Sequence, residues 1–153
     1  MLKAGDTAPD FELPDETERP RKLSDLLAQG PVVLFFYPKA STRGCTAESC
    51  HFRDLAGEFA SVGAQRVGIS ADRVDKQQRF ADEHSLGFPL LSDSDRSVAR
   101  MFGVTRGGPF RLPNKRVTFV IDTDRTVLEA ISSEINMNAH ADQALNALKA
   151  RAS

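Results

Sequence analysis

The chain has 153 residues, with no tryptophan, one tyrosine and only two cysteines. Its formal net charge is −1, so it has no long-range field that would attract nucleic acid or an anionic membrane. No apolar run approaches the roughly 20 residues that a membrane-spanning helix needs, and the first residues lack the apolar stretch of a secretory signal. We therefore expect a cytoplasmic protein with no nucleic-acid or membrane partner.

The composition is ordinary for a globular protein, with 41% hydrophobic and 27% charged residues. The length fits one domain, which we place at 1–153. Both cysteines, Cys45 and Cys50, lie in one short polar segment, STRGCTAESCHFRD, at 41–54. In a reducing cytosol, two cysteines are more often catalytic, redox-active or metal-binding than a permanent crosslink.

The apolar pattern along the chain predicts alternating strands and helices. Continuous β-branched and aromatic runs predict buried strands at 31–38 and 64–71. A three- to four-residue apolar period predicts one helix from Thr42 to Val62. The remaining predictions are helices at 22–30, 75–85, 95–103 and 138–151, a short extended piece at 88–93, a loop at 104–115, and a hairpin of strands at 116–122 and 126–132. This order indicates an α/β fold: a thioredoxin-like three-layer sandwich around a mixed central sheet, with an N-terminal extension.

Cys45 falls in the first turn of a helix if Pro38 ends the preceding strand and Thr42 is the N-cap residue. Unpaired backbone N–H groups and the helix dipole favour a thiolate at that position. Free cysteine titrates near ~8.5, and helix N-termini with a nearby cation bring this to roughly 3.5–7.5. The thiolate is the nucleophilic form, so this position suits redox or nucleophilic chemistry. The candidate cations are Arg43, Arg53 and Arg116.

A disulfide between Cys45 and Cys50 conflicts with an intact helix. Helical rise and rotation place the two Cα atoms roughly 8.7 Å apart, whereas a disulfide needs roughly 4.4–6.8 Å. Oxidation would have to unwind part of the helix. A redox cycle can use such a rearrangement, but a permanent crosslink would not require its own helix to unwind.

Two other interpretations of the cysteines remain. A metal site is disfavoured because Cys45, Cys50 and His51 do not match the spacing of zinc sites, and only two further histidines are present. Two inert thiols packed in the core are the second alternative. Cys50 suits that alternative, whereas Cys45 lies in a polar turn. The chemistry alone favours a redox centre over both.

The segment FFYPKASTRGCTAESCHFRD, at 35–54, resembles the peroxiredoxin signature Pro-x-x-x-Thr-x-x-Cys, which Pro38, Thr42 and Cys45 match. Its extension is similar to the peroxiredoxin Q subfamily, also called bacterioferritin comigratory protein, and 5–15 and 116–127 resemble other segments of that subfamily. The resemblance covers nearly the whole chain. It implies a thioredoxin-like fold and a thiol peroxidase that reduces hydrogen peroxide and organic hydroperoxides, with no metal and no organic cofactor.

The resemblance also implies a role for five residues. Cys45 corresponds to the peroxidatic cysteine, which becomes a sulfenic acid, and Cys50 to the resolving cysteine, which forms an intramolecular disulfide with it. Thr42 corresponds to the residue whose hydroxyl contacts thiolate and peroxide. Pro38 corresponds to the residue that shields the thiolate from water, and Arg116 to the arginine that activates it. Thioredoxin or a similar dithiol protein is the implied reductant, and the self-contained pair of thiols leads us to expect a monomer.

This sequence departs from the subfamily pattern at two positions: Ala40 stands where an acidic residue is expected, and Arg43 stands where proline is expected. Neither position carries the chemistry, but Arg43 removes a rigid turn residue beside the nucleophile. Two other functions also remain open. A peroxide-sensing redox switch could use the same thiols, whereas a thioredoxin-type disulfide oxidoreductase normally needs the tighter C-x-x-C spacing.

Each candidate residue also has a purely structural interpretation. Pro38 could only end a strand, Thr42 could only cap a helix, and Arg116 could belong to a surface ion pair. Glu48 is expected to be a solvated carboxylate in the first turn that suits the helix dipole. His51 is expected on the helix surface.

Overall fold

The computed structural model describes residues 1–106 and 113–152. The strands are β1 Glu12–Pro14, β2 Pro20–Lys22, β3 Val32–Phe36, β4 Gln65–Ser70, β5 Leu90–Ser92, β6 Val117–Ile121 and β7 Val127–Ser132. The helices are α1 Leu23–Leu27, α2 Arg43–Asp54, α3 Ala56–Ser61, α4 Val74–His84, α5 Ser97–Phe102 and α6 Met137–Ala152. Half of the loop predicted at 104–115 lies outside the described residues, at 107–112.

A five-stranded sheet with the order β5-β4-β3-β6-β7 forms the centre of the fold. The pairs β3–β4 and β4–β5 are parallel, whereas β3–β6 and β6–β7 are antiparallel, so the sheet is mixed as predicted. The N-terminal extension forms the separate β1–β2 hairpin, and Thr7 makes an isolated antiparallel bridge to Thr126.

The buried strand β3 contributes to both faces of this sheet because successive side chains point in opposite directions. Val32, Leu34 and Phe36 belong to one apolar cluster, which α1 and α5 cover. Val33 and Phe35 belong to a second cluster, which α2, α3, α4 and α6 cover. The two helical layers and the sheet between them confirm the predicted three-layer sandwich. That all of 1–153 forms one domain stays a prediction.

The single helix predicted from Thr42 to Val62 is wrong, because the chain breaks into α2 and α3 at Leu55. Leu55 has φ −96° and ψ 21°, which leaves the helical region. Near the end of α2, Arg66 Nη1 donates a hydrogen bond to the Phe52 carbonyl at 2.9 Å. A side chain from β4 thus satisfies a terminal carbonyl of α2. The apolar period continues through the break, since Phe52 and Phe59 are both buried and their ring centroids are 5.8 Å apart.

The other predicted elements are present with shifts of a few residues at their ends, which is the usual uncertainty of such boundaries. The predicted hairpin at 116–132 is β6–β7, and the predicted terminal helix is α6. Among the described residues, no helix is both long enough and apolar enough to span a membrane.

Candidate active site

Cys45 lies in the first turn of α2, at the end of the loop that follows the central strand β3. Its side chain is fully buried and belongs to the apolar cluster under α2 and α6. The first backbone N–H groups of a helix have no carbonyl four residues earlier within the helix, so their positive ends are available near this sulfur. Cys45 and Cys50 are both free thiols within one continuous helix.

The loop from Pro38 to Thr42 is held in place by a carboxylate beyond the end of β4. The Ala40 N–H donates to Asp72 Oδ2 at 2.7 Å, and Ser70 Oγ donates to the same oxygen at 2.7 Å. Ala40 is buried. An acidic side chain at this position, which the subfamily pattern led us to expect, would be buried close to the carboxylate of Asp72.

Thr42 and Pro38 flank this loop. Thr42 is the N-cap residue of α2 as predicted, but its side chain makes no capping hydrogen bond. Its Oγ1 instead donates to the Lys39 carbonyl at 2.7 Å, which leaves the lone pairs of that oxygen available as acceptors. Thr42 is exposed and Pro38 is half-buried.

Arg116 meets the sulfur from the neighbouring strand, because it directly precedes β6 and β6 pairs with β3. Its Nη1 lies 3.4 Å from Cys45 Sγ and its residue is only 6% exposed. Burial acts to lower the pKa of Arg116, but its interactions with Glu48 and Cys45 outweigh that effect and raise the pKa above its usual value. Arg116 is therefore a buried cation in contact with the thiol, and it does not form the surface ion pair considered above.

Glu48 contradicts our expectation of a solvated carboxylate. Its side chain is fully buried, and its Oε1 accepts a hydrogen bond from Arg116 Nη1 at 3.0 Å. Burial raises the pKa of Glu48 from 4.5 to about 8, although the Arg116 charge acts in the opposite direction. The sequence did carry a signal: residues three apart share a helix face, so Glu48 follows Cys45 toward the protein interior.

Sequence reasoning missed two further residues of this buried group. His140, on α6, lies with Nδ1 2.7 Å from Thr118 Oγ1 and 3.5 Å from Glu48 Oε2. Both His140 and Thr118 are fully buried. No sequence pattern links them to the cysteine segment, since they reach it only through the packing of α6 and β6 against α2.

Cys50 is half-buried on α2, and its side chain is more accessible than that of Cys45. The next residue, His51, is partly exposed and binds Asp142 of α6 through a 2.8 Å contact between Nε2 and Oδ1. His51 is thus at the helix surface as predicted, but it ties α2 to α6. In the described part of the chain, no three His, Cys, Asp or Glu residues cluster in a way that could hold a metal ion.

Comparisons with known proteins identify the family of this chain. Residues 4–130 match the model of the AhpC/TSA family. The crystal structure of peroxidoxin BcpB from Mycobacterium tuberculosis superposes with a TM-score of 0.95 at 62% identity, covering 98% of both chains. Peroxiredoxin Bcp of Escherichia coli is 40% identical over 99% of this chain and 98% of its own length.

A structure of peroxiredoxin Q from Xanthomonas campestris covers 94% of this chain and 92% of its own, with a TM-score of 0.85 and 33% identity. The family match spans most of the sequence, and these relatives span nearly all of it. The chain therefore belongs to the AhpC/TSA family and is a peroxiredoxin, an oxidoreductase that uses a thiol to reduce peroxides.

Proposed function

We propose that Cys45 is the nucleophile that attacks the peroxide, and that Arg116, Thr42 and Pro38 assist it. The observation that carries this proposal is the 3.4 Å contact between Arg116 Nη1 and the Cys45 sulfur at the N-terminal turn of α2. A buried guanidinium and the free N–H groups of a helix terminus both stabilise a thiolate. Cys50 has no comparable surroundings, because it lies in the middle of the helix.

In the first step, the Cys45 thiolate attacks one peroxide oxygen in line with the O–O bond. The S–O bond forms, the O–O bond breaks, and the leaving oxygen takes up a proton to depart as water or alcohol. Arg116 and the N–H groups of the first turn stabilise the charge that builds on the two oxygens. Thr42 Oγ1, with its hydrogen on the Lys39 carbonyl, accepts the O–H of the peroxide. Pro38 limits the access of water to the thiolate.

In the second step, the Cys50 thiol attacks the Cys45 sulfenic acid. A disulfide forms and one water leaves, so the two electrons that reduced the peroxide have come from the two thiols, which are now oxidised to the S–S bond. Two residues five apart in an intact helix are too distant for this bond, since their Cα atoms are roughly 8.7 Å apart. Part of α2 therefore unwinds before resolution. A thioredoxin-like dithiol protein then restores both thiols by exchange.

Hydrogen peroxide and organic hydroperoxides are the proposed substrates. Structures of the Xanthomonas campestris bacterioferritin comigratory protein, 33% identical to this chain, are described in terms of its alkyl peroxide reduction activity. That similarity supports organic hydroperoxides for this chain. Because both thiols of the proposed disulfide belong to one chain, the cycle needs no second subunit, and we propose that the protein acts as a monomer.

A coupled assay on three proteins tests these roles. Peroxide consumption is measured with thioredoxin, its reductase and NADPH for the wild type, Cys45→Ser and Cys50→Ser. Cys45→Ser should be inactive because serine offers no accessible anion at neutral pH. Substantial activity in that variant would assign the nucleophile to Cys50.

Cys50→Ser should react once and stop at the sulfenic acid, so a dimedone-type trap should label Cys45 more strongly in this variant than in the wild type. Equal, weak labelling of both proteins would contradict a resolving role for Cys50. Catalytic turnover distinguishes the peroxidase from a redox sensor, which would consume only stoichiometric peroxide.

A further inference from the structure

Behind the contact between Cys45 and Arg116 lies a group of buried polar side chains to which the proposed cycle assigns no role. Glu48 comes from α2, Thr118 from β6 and His140 from α6, and all three are fully buried. Glu48 Oε2 has no hydrogen-bond partner among the described residues, and the polar atom that faces it is His140 Nδ1 at 3.5 Å. Buried polar groups without partners are rare, so this pair demands a functional or structural reason.

The partner of the other ring nitrogen fixes the protonation of His140. Its Nε2 lies 2.8 Å from the Ser133 carbonyl oxygen, which can only accept, so Nε2 carries the hydrogen. Burial lowers the pKa of His140, and the Arg116 charge acts in the same direction, against the hydrogen bond to Ser133. The ring is therefore neutral at physiological pH. The single lone pair of its Nδ1 accepts a hydrogen bond from Thr118 Oγ1 at 2.7 Å, and Glu48 Oε2 lies further from the same nitrogen, at 3.5 Å.

The protonation of Glu48 follows in the same way. With a pKa of about 8, Glu48 is largely protonated at neutral pH. Its Oε1 can then accept from Arg116 without cancelling the guanidinium charge, and its Oε2 can direct its proton toward His140 Nδ1 as the longer branch of a three-centre hydrogen bond shared with Thr118. The charge of Arg116 stays available to the Cys45 sulfur, whereas an ionised Glu48 would compete for it.

We propose that His140 is a positioning residue for peroxide reduction: with its ring held by Thr118 and Ser133, it presents Nδ1 to Glu48 Oε2 and so orients the carboxyl group that holds Arg116 against the Cys45 sulfur. The contacts run from His140 Nδ1 to Glu48 Oε2 at 3.5 Å, from Glu48 Oε1 to Arg116 Nη1 at 3.0 Å, and from that nitrogen to Cys45 Sγ at 3.4 Å. This inference rests on the proposed function of Cys45 as the nucleophile.

The surroundings of Arg116 explain why its orientation depends on Glu48. Arg116 Nε is buried and has no hydrogen-bond partner in the described parts of the chain. Its Nη2 lies against Gly44, where a side-chain carbon added to the glycine would come within 3.1 Å of it. Within 1–106 and 113–152, the guanidinium is thus fixed by its polar contacts with the Glu48 carboxyl group and the sulfur, and a rotated carboxyl group would release it.

The two nitrogens of His140 can be replaced one at a time by amides. In His140→Asn, the amide lies near the place of Nδ1 and can still accept from Glu48, but it does not reach Ser133. In His140→Gln, the amide lies near the place of Nε2 and keeps the bond to Ser133, but it leaves Glu48 without an acceptor. The matched control is His84→Gln, the same substitution on α4, where the ring packs against Phe80 outside this group.

The measurement is made in the Cys50→Ser protein, so that the reaction stops after Cys45 is oxidised. Reduced protein is mixed with hydrogen peroxide, quenched at intervals with an alkylating reagent, and analysed by mass spectrometry. The resulting second-order rate constant should fall about 10-fold in His140→Gln, because one stabilising donor is misplaced. His140→Asn should recover most of the wild-type rate, and His84→Gln should keep it.

Unfolding in urea, measured on the same variants, separates positioning from folding. A wild-type rate in His140→Gln would overturn the inference, as would equal slowing of both His140 variants in step with lost stability. If the Cys50→Ser protein consumes peroxide while Cys45 stays reduced, the proposed function itself fails and this inference fails with it. If Cys45 is oxidised at a rate that does not respond to His140, only the inference fails.

Discussion

Oxidation by peroxide should unwind the first turns of α2, and the structure sets the size of the effect. Closing the bond between Cys45 and Cys50 removes Glu48 from its place in the helix. It breaks a hydrogen bond to a charged donor, worth about 1.5–3 kcal/mol, and disturbs the contact between His51 and Asp142, worth less than about 1 kcal/mol. A loss of about 3 kcal/mol of local stability corresponds to roughly 10²-fold faster amide exchange.

The assay is hydrogen–deuterium exchange of the peptide spanning 41–55, in reduced protein and after one equivalent of hydrogen peroxide without reductant. Exchange in this peptide should accelerate about 10²-fold on oxidation, while peptides from β6 should not change. Cys50→Ser, treated in the same way, is the matched control, because its Cys45 is oxidised but no disulfide forms. Its peptide should keep most of the protection.

One result would refute this reasoning. If mass spectrometry shows the disulfide while the amides of 41–55 stay as protected as in the reduced protein, the helix does not need to unwind. The separation of roughly 8.7 Å between the Cα atoms of the two cysteines would then not describe the reacting protein.

Three further predictions concern the surroundings of the sulfur. Arg116→Ala should slow the oxidation of Cys45, measured by quenched alkylation, by about 10²–10³-fold. Arg116→Lys should recover only part of the lost rate, because an ammonium cannot offer several donors in one plane. Equal rates for the wild type and both variants would leave Arg116 with a structural role only. Gly44→Ala places a carbon 3.1 Å from Arg116 Nη2 and should slow the oxidation of Cys45 about 10-fold. The free energy of unfolding of this variant should change by less than about 1 kcal/mol, and a large loss of stability would instead indicate that the helix repacks. In the wild type, Glu48 binds a proton more tightly in the folded than in the unfolded protein, so its contribution to stability is complete below pH 4.5 and is lost as the pH rises to about 8. The stability of Glu48→Gln, measured by urea unfolding, should lack this decline. Parallel pH profiles of the two proteins would contradict a raised pKa of Glu48.

Much of the fold could be predicted from local patterns. The continuous apolar run at 31–38 identified the central strand, and the change to a three- to four-residue period identified the start of the following helix. The break at Leu55 could not be predicted in this way. It coincides with a hydrogen bond from Arg66, which belongs to a different strand, and no property of the sequence around Leu55 reveals that partner.

In the candidate site, too, some residues could be predicted from the sequence, whereas others depend on how distant elements pack. The resemblance to peroxiredoxins drew attention to Cys45 and Arg116, and the structure brings them into contact, although their roles stay predictions. The burial of Glu48 was missed because a carboxylate near a helix N-terminus is usually solvated. Whether it faces water or protein depends on how α6 packs against α2, and that packing places His140 there.

Two fixed points on either side of the cysteines bound the movement that we predict. Upstream, Ala40 is tied to Asp72; downstream, Phe52 is stacked on Phe35 with ring centroids 4.3 Å apart, and its carbonyl binds Arg66. The segment between Ala40 and Phe52 can unwind and refold while its two ends stay attached to the sheet. Repeated rounds of oxidation and reduction would then leave Phe35 and Phe52 packed, so the free-energy cost of each opening is confined to the turns of α2 that precede Phe52.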